Sequence, residues 1–222
     1  MFHVKHFARE VAEPAGRRAV VAEHNVSRET LQKLDLLVDE LGRWQTIKNL
    51  VGPGTIADVW TRHIADSLQL LAIEPQAMRW VDLGSGAGFP GLVLAIALAE
   101  RAGAHVHLVE SNSRKCAFLR HVARLAGAPA TIHEARIEAV VTGFAGAVEI
   151  VTARALAPLA RLVAWSEPLL KTGTVGLFPK GREVQSELTE AGKSWRLDAE
   201  LIPSRTDSEA GIVRIRSLHE RV

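Results

Sequence analysis

Cysteine is nearly absent from this sequence: Cys116 stands alone among 222 residues. One cysteine excludes an internal disulfide and a cysteine-based zinc site. It points to a reducing compartment, so a cytoplasmic location is expected. Long apolar runs are missing too. The longest, 92–99, is far too short to cross a bilayer, and the opening MFHVKHFAREV lacks the apolar core of a secretory signal. No membrane is expected as a partner, and no metal. There is no internal repeat and no low-complexity tract. A strong charge imbalance is also lacking: the formal net charge is +2, too weak by itself to argue for nucleic acid. What remains is ordinary globular composition, 47% hydrophobic and 23% charged, in a length that fits one domain with an appendage.

Residues 1–26 are polar. Ser27 reads as an N-cap with Glu29 in the first turn, and Leu31, Leu34, Val38 and Leu41 follow at helical spacing, with Trp44 beyond. NLVGPG, 49–54, breaks that helix. A second helical pattern runs through Ile56, Val59, Ile64, Leu68 and Leu71 and ends at Pro75. From about residue 79, short β-like runs alternate with helical ones. Strands are expected at 80–83, 105–110, 130–133, 148–153 and 174–178, with helices starting near Pro90, Ser113, Pro158 and Arg182. Gly103 and Gly127 stand at helix C-cap positions, and 136–141 is ambiguous. Alternation of this kind means a mostly parallel sheet with helices on both faces. Two further strands, 196–202 and 211–217, have nothing helical between them and should pair antiparallel. The expected architecture is an α/β, Rossmann-like, seven-stranded and mostly parallel sheet. Its C-terminal strand is antiparallel, and a helical N-terminal extension (1–75) packs on the sheet domain (76–222).

The stretch VDLGSGAGFPG, 81–91, holds four glycines directly after the first strand. In such sheets ligands bind beyond the carboxyl ends of strands, where strand order switches. A formal G-x-G-x-x-G at Gly86, Gly88 and Gly91 is the dinucleotide fingerprint, but it begins three residues after the strand, and Phe89-Pro90 crowds the turn. The other register is Asp82-x-Gly84-x-Gly86-x-Gly88. A carboxylate at Asp82 repels phosphate and suits a ligand carrying an ammonium and a sulfonium. The second strand ends in Glu110, an acid placed to accept hydrogen bonds from both ribose hydroxyls. Loop and acid together suit an adenosyl cofactor and do not name the acceptor. On the helix starting near Ser113, Arg114, Arg120, His121 and Arg124 fall on one arc, and no acid interrupts 111–127. Phe118, Val122 and Leu125 are assigned to the face packed on the sheet. The arc reads either as a solvated face or as a phosphate-backbone footprint.

Four stretches narrow this: RHIADSLQLL (62–71), DLGSGAGFPGLVLAIA (82–97), LVESNSRKCAFLRHV (108–122), and TARALAPL (152–159) with FPKG (178–181). Their order and spacing resemble the RsmG (GidB) family, bacterial 16S ribosomal RNA guanine-N7 methyltransferases. The resemblance implies a class I methyltransferase fold. It also implies methyl transfer from S-adenosylmethionine to N7 of a guanosine in a decoding-region loop of 16S rRNA, with free rRNA or the small ribosomal subunit as partner. It places Gly84 and Phe89 in the cofactor loop and Ile137 and Glu138 against the adenine. Arg154 follows the fourth strand. Glu110 stands where the family usually has Asp, and Pro179-Lys180-Gly181 replaces a Leu-Lys-Gly box while keeping the lysine. Arg62 and His63 precede the sheet. Arg62, Arg114, Arg120 and Arg124 are the expected RNA contacts. Since guanine N7 carries a lone pair and no proton, no general base is expected, and Arg154, Lys180 and His63 are assigned positioning roles. RNA's deep major groove hides N7 in a regular helix, so a loop or an opened base is the expected target. A nicotinamide-dependent oxidoreductase, a non-catalytic RNA-binding factor and a small-molecule methyltransferase stay as alternatives at this point.

Overall fold

In the computed structural model, which describes residues 16–48 and 58–220, seven strands form one sheet in the order β3-β2-β1-β4-β5-β7-β6. The strands are β1 Arg79–Leu83, β2 His105–Glu110, β3 Ala130–Glu134, β4 Ile150–Thr152, β5 Val175–Lys180, β6 Trp195–Pro203 and β7 Gly211–Glu220. Strands β1 to β5 are parallel, and β7 is antiparallel to both β5 and β6. The order turns outward in both directions from β1, so the loops after β1 and β4 diverge and leave a crevice between them.

The helices are α1 Arg17–His24, α2 Arg28–Lys48, α3 Asp66–Ile73, α4 Gly91–Leu98, α5 Ser113–Ala126, α6 Ile137–Val140, α7 Leu159–Leu170 and α8 Val184–Ser194. Helix α2 starts where its cap dictates: the Thr30 N–H donates to Ser27 Oγ at 3.0 Å. Helix α5 has Asn112 at its N-cap, accepting from Arg114 N and Lys115 N, and Gly127 closes it at φ 58°. Helix α4 is apolar all round because it is buried all round, between the sheet and the N-terminal helices. Leu34, Leu37 and Leu41 of α2 share a single hydrophobic cluster with Trp80, Leu92 and Phe118. The opposite face of the sheet packs on α7 and α8 through Leu159, Val163, Phe178 and Val213.

Several expectations are corrected. The segment ahead of β1 is not one regular helix: Trp60–Ala65 is a π-helical turn that leads into α3, which does end just before Pro75, at Ile73. The helix break at 49–54 and Ile56 lie outside the described residues. Gly103 is no C-cap, since α4 ends at Leu98 and Gly103 stands in the following turn at φ 83°. The ambiguous 136–141 stretch resolves into α6 and a 3-10 turn, Val141–Phe144. Leu125 does not pack on the sheet. It is 43% exposed, and the buried face of α5 is centred on Leu119, Ala123 and Ala126. His121 leaves the arginine arc, because α2 covers it: its Nε2 lies 2.9 Å from Glu40 Oε2 and its ring packs on Trp44.

Candidate active site

The glycine loop is pinned to the end of β2. Gly84 N and Ser85 N both donate to Val109 O, at 2.8 and 3.0 Å, and Gly86 N donates to Glu110 Oε2 at 3.0 Å. The other oxygen, Oε1, accepts from Asn112 N at 2.8 Å. Glu110 therefore braces the loop before any ligand arrives, and each of its oxygens keeps a further acceptor position. Two of the loop glycines serve different ends. Gly86, at φ 58°, faces open space, with Gly84 O at 3.8 Å as the only atom near an added Cβ. Gly88 faces inward, where a Cβ would meet Leu92 Cβ at 2.7 Å.

The loop, the end of β2 and α6 enclose a cavity of about 660 Å³. Gly84, Gly86, Phe89, Glu110, Ile137, Glu138 and Arg154, all expected at the cofactor, line it. Asp82 and Gly88 do not. Asp82 is 1% exposed beneath the loop, and its Oδ2 accepts from Gly91 N at 3.1 Å, holding the start of α4. Gly91 is a glycine for this reason, since a Cβ there would stand 2.6 Å from Asp82 Oδ2. With Oδ1 left without a partner, burial drives the Asp82 carboxyl up to about 7. The carboxylate expected to face the ligand's positive charges is instead part of the floor.

A second cavity of about 500 Å³ adjoins the first, and Arg154 and Ala155, on the loop after β4, line both. Arg154 is fixed by three partners: Nη1 donates to Arg62 O at 2.8 Å and to Asp66 Oδ2 at 3.0 Å, and Nη2 lies 2.7 Å from His63 Nδ1. A guanidinium only donates, so His63 accepts at Nδ1 and carries its proton on Nε2. Burial, then the Arg154 and Arg62 cations, push the His63 imidazole down to about 4. The ring stacks on Phe89 with centroids 4.7 Å apart. The π-helical turn gives His63 and Asp66 their places around Arg154. Ala155 sits at φ 52°, a strained value for a residue with a Cβ, at the one place where the cavities touch.

Lys180 clamps the other end of this divider. Its Nζ pairs with Glu187 Oε2 at 2.6 Å and donates to Ala157 O at 3.0 Å, and the same Glu187 oxygen accepts from Leu159 N at 2.6 Å. Proline at 179 falls past the last β4 pair, Thr152 with Leu177, and stands opposite Ile212 of β7. Among the expected RNA contacts, Arg62 is exposed at the second cavity and Arg114 and Arg124 are exposed on α5, whereas Arg120 is tied to Glu134 at 2.9 Å. Sequence reasoning missed Lys115, Arg136 and Arg161, which line the first cavity, and Trp165, whose Nε1 donates to Glu138 Oε1 at 2.9 Å. Arg136 adjoins Ile137 in sequence, and that adjacency was the available signal. Among the described residues, no group of three or more His, Cys, Asp or Glu is placed to hold a metal ion, and no helix is long and apolar enough to cross a membrane.

A family profile described as rRNA small subunit methyltransferase G matches residues 30–210. The chain belongs to the GidB family. Among GidB relatives, the ribosomal RNA small subunit methyltransferase G of Methylorubrum populi is 66% identical over 202 residues, covering 91% of this chain and 95% of that one. The protein of the same name from Parvibaculum lavamentivorans is 54% identical over 196 residues, covering 88% and 86%. The fold extends beyond the family. The crystal structure of an O-methyltransferase from Bacillus cereus in complex with SAH superposes with a TM-score of 0.58 at 12% identity, covering 90% of this chain and 96% of that one.

Proposed function

We propose that this GidB-family methyltransferase transfers a methyl group from S-adenosylmethionine to N7 of a guanosine in a loop of 16S ribosomal RNA. The observation that carries the reading is the pair of cavities meeting at Arg154 and Ala155, one built for an adenosyl cofactor and the other open to an acceptor. The cofactor fits the residues present. Glu110 retains acceptor capacity for two ribose hydroxyls, Ile137 offers an apolar surface to the adenine, and Gly86 leaves the space that a side chain would fill. When bound, S-adenosylmethionine supplies an electrophilic methyl group on a sulfonium.

The protein's own task is orientation and exclusion of water. Arg154 and Lys180 hold the divider, Phe89 and His63 form its apolar side, and no group has to remove a proton from N7. His63 is neutral well above its value of about 4, and Asp82, held near 7 by burial, can take its proton on the unpartnered Oδ1 and keep the bond from Gly91 N–H, so single-turnover transfer should stay flat from about pH 6 to 9. It should fall only toward acid, where protonated His63 no longer accepts from Arg154. A bell-shaped profile centred near neutrality would point to a general base and an acceptor other than N7.

Glu110→Gln tests the cofactor site. Its amide nitrogen must face either Gly86 N–H or Asn112 N–H, so one brace becomes a repulsion. Binding of S-adenosylhomocysteine by calorimetry should weaken about tenfold or more. Unchanged affinity would place Glu110 outside the site.

Lys115, Arg136 and Arg161 at the first cavity and Arg62 at the second surround the site with cations, of which Arg136 and Arg161 lie near enough to Glu138 to help lower its carboxyl. This supports an RNA backbone passing over the two mouths. Arg136→Glu should weaken RNA binding and lower the slope of log affinity against log salt by about 1 or more. An unmoved slope would leave these cations as solvated surface. The deciding experiment is methyl transfer from labelled cofactor to small subunits lacking the modification. Release of 7-methylguanosine on digestion is the expected result, and any other methylated nucleoside overturns the assignment.

A further inference from the structure

The geometry points to the second cavity as a guanine-selective site in which Asp207, on the loop between β6 and β7, accepts from N1–H and the 2-amino group of the target base. This rests on the RNA guanine-N7 reading above and adds how the base is told from the other three.

Three carboxylates line the cavity: Asp66, Glu187 and Asp207. Two are already neutralised, Asp66 by Arg154 and Glu187 by Lys180. Asp207 has no ion pair among the described residues. Its Oδ1 accepts from Glu209 N at 2.9 Å, and its other oxygen is without a hydrogen bond. The loop that carries it is held in place: Thr206 Oγ1 donates to Asp66 Oδ1 at 2.9 Å, Arg205 N donates to Gln69 Oε1 at 3.0 Å, and Ala210 N donates to Asp207 O at 3.1 Å. A fixed backbone thus holds a solvent-exposed carboxylate, free of any ion pair among the described residues, at the wall of a cavity of base-holding size.

Guanine alone among the four bases presents two donors side by side, N1–H and the 2-amino group, and a carboxylate accepts both. The order of groups along the cavity wall matches the order of atoms around the base. Arg154 and Ala155 stand at the divider, His63 and Asp66 next to them, then Thr206 and Asp207. With N7 turned to the divider, O6 comes next, then N1–H and the 2-amino group. Adenine would set a bare N1 against the Asp207 carboxylate.

The test uses small subunits reconstituted with 16S RNA carrying guanosine or inosine at the target position. Inosine keeps N7, O6 and N1–H and lacks only the 2-amino group. Wild-type enzyme should methylate the inosine-bearing subunits with kcat/KM lower by about tenfold or more. Asp207→Asn keeps the bond to Glu209 N–H and places an amide where the carboxylate was. It should lower transfer to guanosine by about 10- to 100-fold and bring the guanosine-to-inosine ratio close to one. S-adenosylhomocysteine affinity should not change, which shows a folded cofactor site. Asp207→Glu should restore most of the ratio. A ratio unchanged in Asp207→Asn, or a wild-type enzyme indifferent to inosine, overturns Asp207 as the reader of the base. If wild-type enzyme methylates neither RNA, the failure is that of the guanine-N7 reading itself.

Discussion

Arg154→Ala should lower methyl transfer by about 100-fold or more, the scale of loss produced by small misplacement of reacting groups. Three fixed hydrogen bonds disappear together, and Asp66 loses its cation. The Arg154 and Asp66 side chains are only 17% and 16% exposed, so stability should also fall, by about 3 kcal/mol. A second readout separates this from simple unfolding. Burial is the first cause of the low His63 value and the Arg154 cation the second, so the imidazole resonance should titrate above its present value of about 4 in the folded variant. Arg154→Lys should recover little, because an ammonium cannot reproduce the fork that reaches a carbonyl, a carboxylate and an imidazole at once. Transfer close to wild type, with an unmoved His63 titration, would remove Arg154 from the divider.

Gly86→Val should abolish measurable cofactor binding, weakening it by about 100-fold or more. The residue is at φ 58°, where a β-branched side chain is strained by about 1–2 kcal/mol, and its added atoms would enter the first cavity rather than the protein. Filling that space costs about as much again. Gly86→Ala bears the same backbone strain with a single added carbon, so the gap between the two variants measures the occupied space. Calorimetry with S-adenosylhomocysteine reads both. Equal, near-native affinity in the valine variant would mean that the cofactor lies elsewhere.

The sheet was legible from the sequence because its signals are local. The run 105–110 coincides with β2, and the acid at its end is where a brace for the glycine loop must stand. Ser27 and Gly127 act as the caps they resemble. What escaped was set by contacts distant in sequence. Asp82 looks like a ligand group at a strand end, yet its burial beneath the loop depends on Gly91 and on how closely α4 approaches β1. Lys180 is assigned a positioning role, but its partners, Glu187 on a helix and Ala157 on a loop, could not be read from its own neighbourhood. The β6–β7 loop is tied to the site by residues far away in sequence, with Thr206 bonding Asp66, 140 residues earlier, and Arg205 N–H bonding Gln69. His121 shared a helical arc with arginines, but no periodicity on α5 could announce that α2 would cover it.

One wall between two cavities binds their occupants by thermodynamics as well as by geometry. A ligand that shifts Arg154 or Ala155 from one side alters the fit on the other, and the factor must be the same in both directions. If demethylated cofactor loosens the hold on RNA, RNA loosens the hold on demethylated cofactor by an equal ratio. The two products then hasten each other's departure, and turnover is governed by the stiffness of a few residues clamped between Asp66 and Glu187.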